Sequence, residues 1–466
     1  MSPRRREAAA VGALALAAVV LFAVAPTYPN YDAYYHLVWG RELLDGQAPT
    51  FSVYAAPTEH PLYLAICALV GAVFGEHGDR ALVALGALSL VWLSWATWRV
   101  GRATFGTWAG VLAGAFVASS FALLLYAARA YDDVPFLALV LTAAMVEAER
   151  AEGGRPRRRL VLALLAVAGL LRPEAWVLAG LYWLWRGRDL RTLAVVLAAP
   201  ALWAAVDWAV TGHPLHSITA TSDLADALHR RRGIEHVPHS FVSFLVDVAR
   251  PPVAAAGVLG LWLAWRDRAR LPTAYVPAAL LVGGSLTFLV TGAAGLSILP
   301  RYLTVPVVAL CLFAGHAVAV LARDRRLLAA MVVVGLVFLG LKHNSFTTLV
   351  HEVRFDRDSH ADLVALLRSP EVSRGRDCGP VSFPNYRGVP NAKWILDSED
   401  VVARSDRRPR HGVAVFTTTK LALQRFGLAD GASRTTNTPD PGFRLVPATR
   451  TGMFVARISC PALGGG

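Results

Sequence analysis

Charge is scarce in this chain, and one kind of charge is nearly missing. Of 466 residues only 17% are Asp, Glu, Lys or Arg, against 55% hydrophobic, and the mean hydropathy is +0.45. A soluble globular protein of this length is not so apolar, whereas a polytopic membrane protein is. Lysine is confined to Lys342, Lys393 and Lys420. The net charge of +13 is therefore carried by arginine, in short clusters between apolar segments. That is the distribution of the positive-inside rule and not of a nucleic-acid-binding surface. Four cysteines are too few for a disulfide framework. Cys67 and Cys311 lie in apolar stretches and read as packing residues. Cys378 and Cys460 bracket the polar C-terminal region and could pair outside the cytoplasm, which the sequence leaves open.

Apolar segments fall at about 8–25, 61–75, 81–98, 108–127, 134–148, 160–171, 174–185, 192–210, 252–265, 273–291, 303–321 and 327–341. Several fall short of the roughly 20 residues a span needs. The first follows MSPRRRE and resembles a signal peptide, with Ala23-Val24-Ala25 offering a cleavage site; a retained signal anchor is the alternative. If every segment crosses, the Arg150–Arg159 cluster lands outside. If 61–75 instead lies on the outer face, the arginine clusters between spans land inside, Arg230 to Arg232 of the 211–251 loop excepted. This gives about 11 transmembrane helices, a cytoplasmic N-terminus and an extracytoplasmic C-terminal domain, in a multi-pass protein of the plasma membrane. The transmembrane domain is 1–341, with outer loops at 26–80, 127–134 and 211–251. Residues 342–466 form a small α/β domain: HGVAVFTTT and FRLVPATRTGMFVARIS read as strands and DLVALLRS as a helix.

Ionisable residues at membrane depth are costly unless they face a partner or a cavity, so those at the outer ends of spans stand out. NYDAYYH places Asp32 after the first span, where Asp32 or Asn30 could simply cap a helix. AARAYDDVPF offers Arg129, Asp132 and Asp133; capping needs one acid, and here there are two. PTEHPLYL offers Glu59 and His60, LLRPEAW offers Arg172 and Glu174, and ILPRYLTVP offers Arg301 and Tyr302. A guanidinium at headgroup level suits a phosphate, because its planar fork matches phosphate oxygens, although lipid snorkelling gives the same placement. His213, His216, His229, His236 and His239 crowd the 211–251 loop. No pair of them makes an HExxH arrangement, and Pro238 argues for loop, so no dedicated metal site is expected.

The order of these stretches resembles the GT-C superfamily of polytopic glycosyltransferases. The closest likeness is to the protein mannosyltransferase and aminoarabinose transferase branch, over roughly residues 8–341. The resemblance implies a cell-envelope enzyme that moves a sugar from a polyprenyl-phosphate donor to an acceptor hydroxyl on a glycan, lipid or protein. It implies Asp32 as the catalytic acid residue of the first loop, Asp133 as the second-loop acid with Asp132 as fallback, and Arg301 on the donor phosphate. Glu59-His60-Pro61-Leu62 is similar to a family element with two prolines and departs from it by having one. Some branches use a divalent cation, Mg or Mn, which Asp133 would hold. A transporter or flippase of a lipid-linked or anionic substrate is the rival reading; it would favour midplane charges and repeated halves, and no repeat is evident. A membrane anchor presenting the C-terminal domain is a third, for which eleven spans are too many.

Overall fold

Apolar runs of helical length dominate, and helices follow. The computed structural model describes residues 3–151, 157–228, 230–341, 344–429, 436–438 and 440–461. Arg155, His229 and Lys342 lie outside them. In chain order the helices are α1 (Pro3–Val24), α2 (Tyr31–Leu44), α3 (Pro61–Phe74), α4 (Gly78–Phe105), α5 (Thr107–Ala118), α6 (Phe121–Ala128), α7 (Asp133–Ala151) and α8 (Arg158–Gly169). They continue as α9 (Glu174–Arg186), α10 (Leu190–Thr211), α11 (His216–Ala227), α12 (Val237–Ala249), α13 (Pro251–Arg266), α14 (Tyr275–Ala293), α15 (Thr304–Leu321) and α16 (Arg325–Leu341). The polar end of the chain adds α17 (Asn344–Leu367), α18 (Pro370–Arg376), β1 (Val381–Phe383), α19 (Val389–Leu396), β2 (Val401–Ala403), β3 (Gly412–Thr417), α20 (Lys420–Arg425), β4 (Arg444–Arg450) and β5 (Phe454–Ser459).

Among the described residues five helical stretches are long and apolar enough to cross a membrane. Two bent pairs, α5 with α6 (54°) and the 234–249 segment with α13 (105°), raise this to seven. That stops short of the eleven expected: α8, α9 and α16 have only 12, 13 and 17 residues, and α7 carries Asp133, Glu147, Glu149 and Arg150. The 211–251 stretch, expected as a loop, carries α11 and α12. Pro238 sits in the first turn of α12, where a residue without an N–H costs nothing, because the first helical N–H groups have no intrahelical partner.

The chain divides into two compact units that do not follow chain order. One comprises Met1–Ala25, Thr58–Ala65 and Val83–Val350; the other Pro26–Pro57, Ile66–Leu82 and His351–Gly466. In the first, α15 is the central helix, buried from Thr304 to Ala317. α13 and α5 reach its backbone through glycine: a Cβ on Gly260 would sit 1.9 Å from the Phe313 carbonyl oxygen, and one on Gly315 2.4 Å from that of Ala109. Small residues are what allow membrane helices to approach this closely.

The second unit holds a five-stranded sheet in the order β2-β1-β3-β5-β4. β1 pairs parallel with β2 and β3, while β5 is antiparallel to both β3 and β4. Leu363, Leu366 and Leu367 of α17 pack with Val381, Val413 and Phe454 of the sheet in one apolar core. Cys378 and Cys460 form a disulfide, their Cα atoms 5.3 Å apart, and Cys67 and Cys311 are buried and free. Arg404 lies buried across the sheet, donating to the carbonyls of Ser382 (2.8 Å), Val415 (2.8 Å) and Thr436 (3.1 Å). Burial pushes its guanidinium down to about 10.

Candidate active site

Two tight chain reversals at one end of the first unit set up its densest group of charges. Between α6 and α7 the chain turns through Ala130 at φ 51°, a left-handed conformation that costs a non-glycine residue free energy and persists only where neighbours hold it. Here the Tyr63 hydroxyl donates to the Ala130 carbonyl, and Tyr131 N–H bonds the Tyr126 carbonyl at 2.9 Å. Arg129 ends α6 as its C-terminal cap residue. Asp133 then opens α7 with Pro135 in the first turn, an arrangement the helix dipole favours. Between α8 and α9, Arg172 N–H returns to the Ala168 carbonyl at 2.9 Å, and Glu174 opens α9 after Pro173. The segment before α3 is tied to the same place, Leu62 N–H donating to the Leu170 carbonyl at 3.1 Å.

These turns gather three carboxylates around one guanidinium. Arg172 Nη1 is 2.8 Å from Asp133 Oδ1 and 3.8 Å from Asp132 Oδ1. Its Nε and Nη2 donate to Glu174 Oε1 at 3.1 and 2.6 Å. His60 Nε2 lies 3.6 Å from Asp132 Oδ2. Asp133 is 0% exposed, Arg172 3% and Asp132 4%. Buried carboxylates are tolerated only when opposite charge and hydrogen bonds replace their lost water. One arginine for three acids leaves a negative surplus unless other cations contribute, and Arg301 is next in line. Both guanidiniums lie against the Tyr302 ring, that of Arg172 at 5.3 Å and that of Arg301 at 5.9 Å. Arg301 also sits over Tyr131 at 6.0 Å.

Glu59 faces a different set of partners. Its Oε1 is 3.6 Å from His216 Nε2 of α11. Beside it Asp207 of α10 accepts from Ser217 N–H (2.9 Å) and Ser217 Oγ (2.7 Å), and Trp203 Nε1 donates to that same Oγ at 2.7 Å. The His60 ring meets Trp203 edge-on at 5.5 Å, bridging the two groups. Burial pushes the Glu59 carboxyl up to about 7, and the nearby Asp207 charge adds to the rise. Sequence reasoning missed Asp207, Ser217 and Trp203. An acid inside LWAAVDWAV was the available signal, because an ionisable residue in an apolar run needs a partner. Glu59 and His216 supply two donors with metal-ligand chemistry, and among the described residues no group of three or more His, Cys, Asp or Glu side chains forms a metal set.

Asp32 belongs to the second unit. Asn30, not Asp32, caps α2: its Oδ1 accepts from Asp32 N–H (2.7 Å) and Ala33 N–H (3.1 Å). The other polar residues of this helix have local work. His36 Nδ1 bonds the Asp32 carbonyl at 2.7 Å. Glu42 accepts from Thr50 N–H at 2.7 Å. Arg41 pairs with Asp397 at 2.8 Å and lies over Trp394.

No protein-family model matches the sequence, and no curated protein sequence matches it. The fold does match solved structures. The crystal structure of ArnT from Cupriavidus metallidurans bound to undecaprenyl phosphate aligns at TM-score 0.61 and 14% identity, over 98% of this chain and 99% of that one. Its apo form aligns at 0.57 and 15% over both chains in full. The apo oligosaccharyltransferase of Archaeoglobus fulgidus aligns at 0.50 and 11%, over 85% of this chain and 64% of that one. Both proteins are membrane glycosyltransferases of the GT-C superfamily, and this chain has their fold.

Proposed function

We propose that this chain is an integral-membrane glycosyltransferase. It moves a sugar from a polyprenyl-phosphate-linked donor to an acceptor hydroxyl on the extracytoplasmic face. The observation that carries the reading is the buried group of Asp132, Asp133, Glu174 and Arg172 at one end of the helices. It lies in a chain whose fold follows, over nearly its whole length, that of a protein solved with undecaprenyl phosphate. A lipid-linked sugar keeps its chain in the bilayer and its phosphate at the interface, so its chemistry belongs at a helix end.

Transfer needs a base for the acceptor hydroxyl and positive charge on the departing phosphate. We assign Asp32 as the base. The capping duty that would otherwise explain an acid there falls to Asn30. Arg301 is assigned to the phosphate. Direct attack at the anomeric carbon forms the new glycosidic bond as the bond to the phosphate oxygen breaks. The hydroxyl proton goes to Asp32 and the electron pair to the phosphate, so the anomeric centre inverts. Asp133 orients the acceptor or the base, with Arg172 holding it. Arg172 already brings to these carboxylates the positive charge a Mg or Mn ion would supply, so no step is assigned to a metal. Arg129, Glu59, His60 and Tyr302 are assigned to the walls of the substrate site. The proposed topology has eleven crossings, the 61–75 segment on the outer face and the polar domain 342–466 outside.

The test is donor turnover by purified protein in proteoliposomes, against a panel of polyprenyl-phosphate sugars. Released polyprenyl phosphate is the readout, and Asp32→Asn should lower it about 10²–10⁴-fold. Normal turnover by that variant would remove Asp32 from the base role.

A further inference from the structure

The opposite end of the same helices carries a site that the transferase reading does not use. α7 and α9 end there and α8 and α14 begin there. Glu147 of α7, 4% exposed, accepts from Arg150 (2.7 Å), Arg186 (3.0 Å), Tyr182 (2.9 Å) and Tyr275 (2.8 Å). So complete a shell leaves the carboxylate as an anchor that fixes Arg150 and Arg186. Arg186 lies 3.7 Å over the Trp185 ring, which meets Tyr275 at 5.0 Å. Beside them opens a cavity of about 670 Å³ lined by Arg150, Arg157, Arg158, Arg159, Arg186 and Tyr182. Among the described residues two carboxylates meet these five guanidiniums: Glu147, and Asp189 at 2.5 Å from Arg158. Five minus two leaves three positive charges in surplus.

Tyr182, Tyr275 and the Glu147 anchor also border a second cavity, about 280 Å³, whose remaining lining is apolar and includes Leu165, Leu178, Leu181, Trp185 and Val282. Val282 is 66% and Trp185 51% exposed, so in a membrane helix bundle this cleft opens toward lipid. An apolar slot that runs up to a cationic mouth matches one kind of molecule, an amphiphile with an anionic head. The level agrees as well. Asp133 and Glu147 are 14 residues apart on one helix, or about 21 Å at 1.5 Å per residue. Arg150, in the last turn, extends this to about 25 Å, toward the roughly 30 Å thickness of a hydrocarbon core.

We propose that this end holds an anionic phospholipid of the surrounding bilayer, its phosphate among Arg150, Arg157, Arg159 and Arg186 and one acyl chain in the cleft. Guanidinium surplus supplies the affinity for the phosphate. The cleft supplies preference for a lipid over a soluble anion. The proposal stands apart from the transferase reading and survives its failure.

The experiment uses the full chain in detergent, with bound lipid read by native mass spectrometry after titration with phosphatidylglycerol, phosphatidylcholine or undecaprenyl phosphate. Phosphatidylglycerol should bind selectively over phosphatidylcholine. R157Q/R159Q, which leaves the Glu147 shell intact, should weaken it about thirtyfold, from roughly 1 kcal/mol per arginine at a membrane surface. Val282→Trp, which fills the cleft and touches no arginine, should weaken it as well. Thermal unfolding of each variant checks that it is folded. Equal retention of both phospholipids, or no change in either folded variant, would overturn the proposal. Displacement of phosphatidylglycerol by equimolar undecaprenyl phosphate would overturn the choice of a bilayer phospholipid as the occupant.

Discussion

The two ends of α7 solve the problem of buried charge in opposite ways. At its N-terminal end three carboxylates share Arg172. At its C-terminal end one carboxylate, Glu147, is shared by two arginines and two tyrosines. The first gathers its carboxylates around one guanidinium in a buried cluster. The second is short of anions and spreads its charge around open cavities. An acid-rich, enclosed end suits proton handling and substrate orientation. An arginine-rich, open end suits the phosphate headgroups of a membrane face. The helix dipole sharpens both, because Asp133 and Glu174 start their helices while Arg150 and Arg186 finish the same two.

The largest expected effect comes from removing the shared cation. Arg172→Met leaves three buried carboxylates without their common partner. It should cost about 3–5 kcal/mol of stability, read as loss of folded protein in detergent; a folded, active variant would mean that other cations carry this end. Asp32→Asn comes next, about 10²–10⁴-fold in turnover, with the α2 cap kept by Asn30. Glu147→Gln, at the other end, should lower stability by about 1–3 kcal/mol and leave donor turnover intact. A turnover loss as deep as that of Asp32→Asn would show that the two ends are not separate. The smallest effect is a pH slope at Glu59. Its carboxyl is raised from 4.5 to about 7 by burial, so the folded state holds a proton that the unfolded chain releases near 4.5. Stability from this group is greatest below about 4.5, falls as pH rises toward 7 and levels off above. Glu59→Gln should remove that part of the slope in thermal unfolding curves taken from pH 4 to 8.

Much of this was legible in the sequence. Apolar runs marked the helices, and strand patterning marked β3, β4 and β5. AARAYDD and LLRPEAW contain the acids that meet around Arg172, and EHP contains the His60 that lies beside Asp132. What was hidden depended on packing between distant segments. The α11 and α12 helices were obscured by polar residues and by Pro238, because a first-turn proline reads the same as a loop proline in one dimension. Asp207 went unnoticed inside an apolar helix, since its partner Ser217 lies beyond the next turn of the chain. Glu147 looked like one of many charges at a helix end. Only the approach of Tyr182, Arg186 and Tyr275 from two other helices separates it from a solvated glutamate. The grouping of 26–57 and 66–82 with 351–466 in one compact unit has no local signature at all.

The most direct test of the account is the sidedness of the two ends. α10 joins them as one apolar helix from Leu190 to Thr211, with exposed His213 just past one terminus and exposed Arg188 just before the other. Single cysteines at these positions, with Cys67 and Cys311 replaced by alanine and the disulfide kept, would be treated in intact cells with a membrane-impermeant thiol reagent. The account predicts that His213→Cys labels from outside and Arg188→Cys only after permeabilisation. The reverse pattern would place the carboxylate end in the cytoplasm and contradict transfer on the extracytoplasmic face.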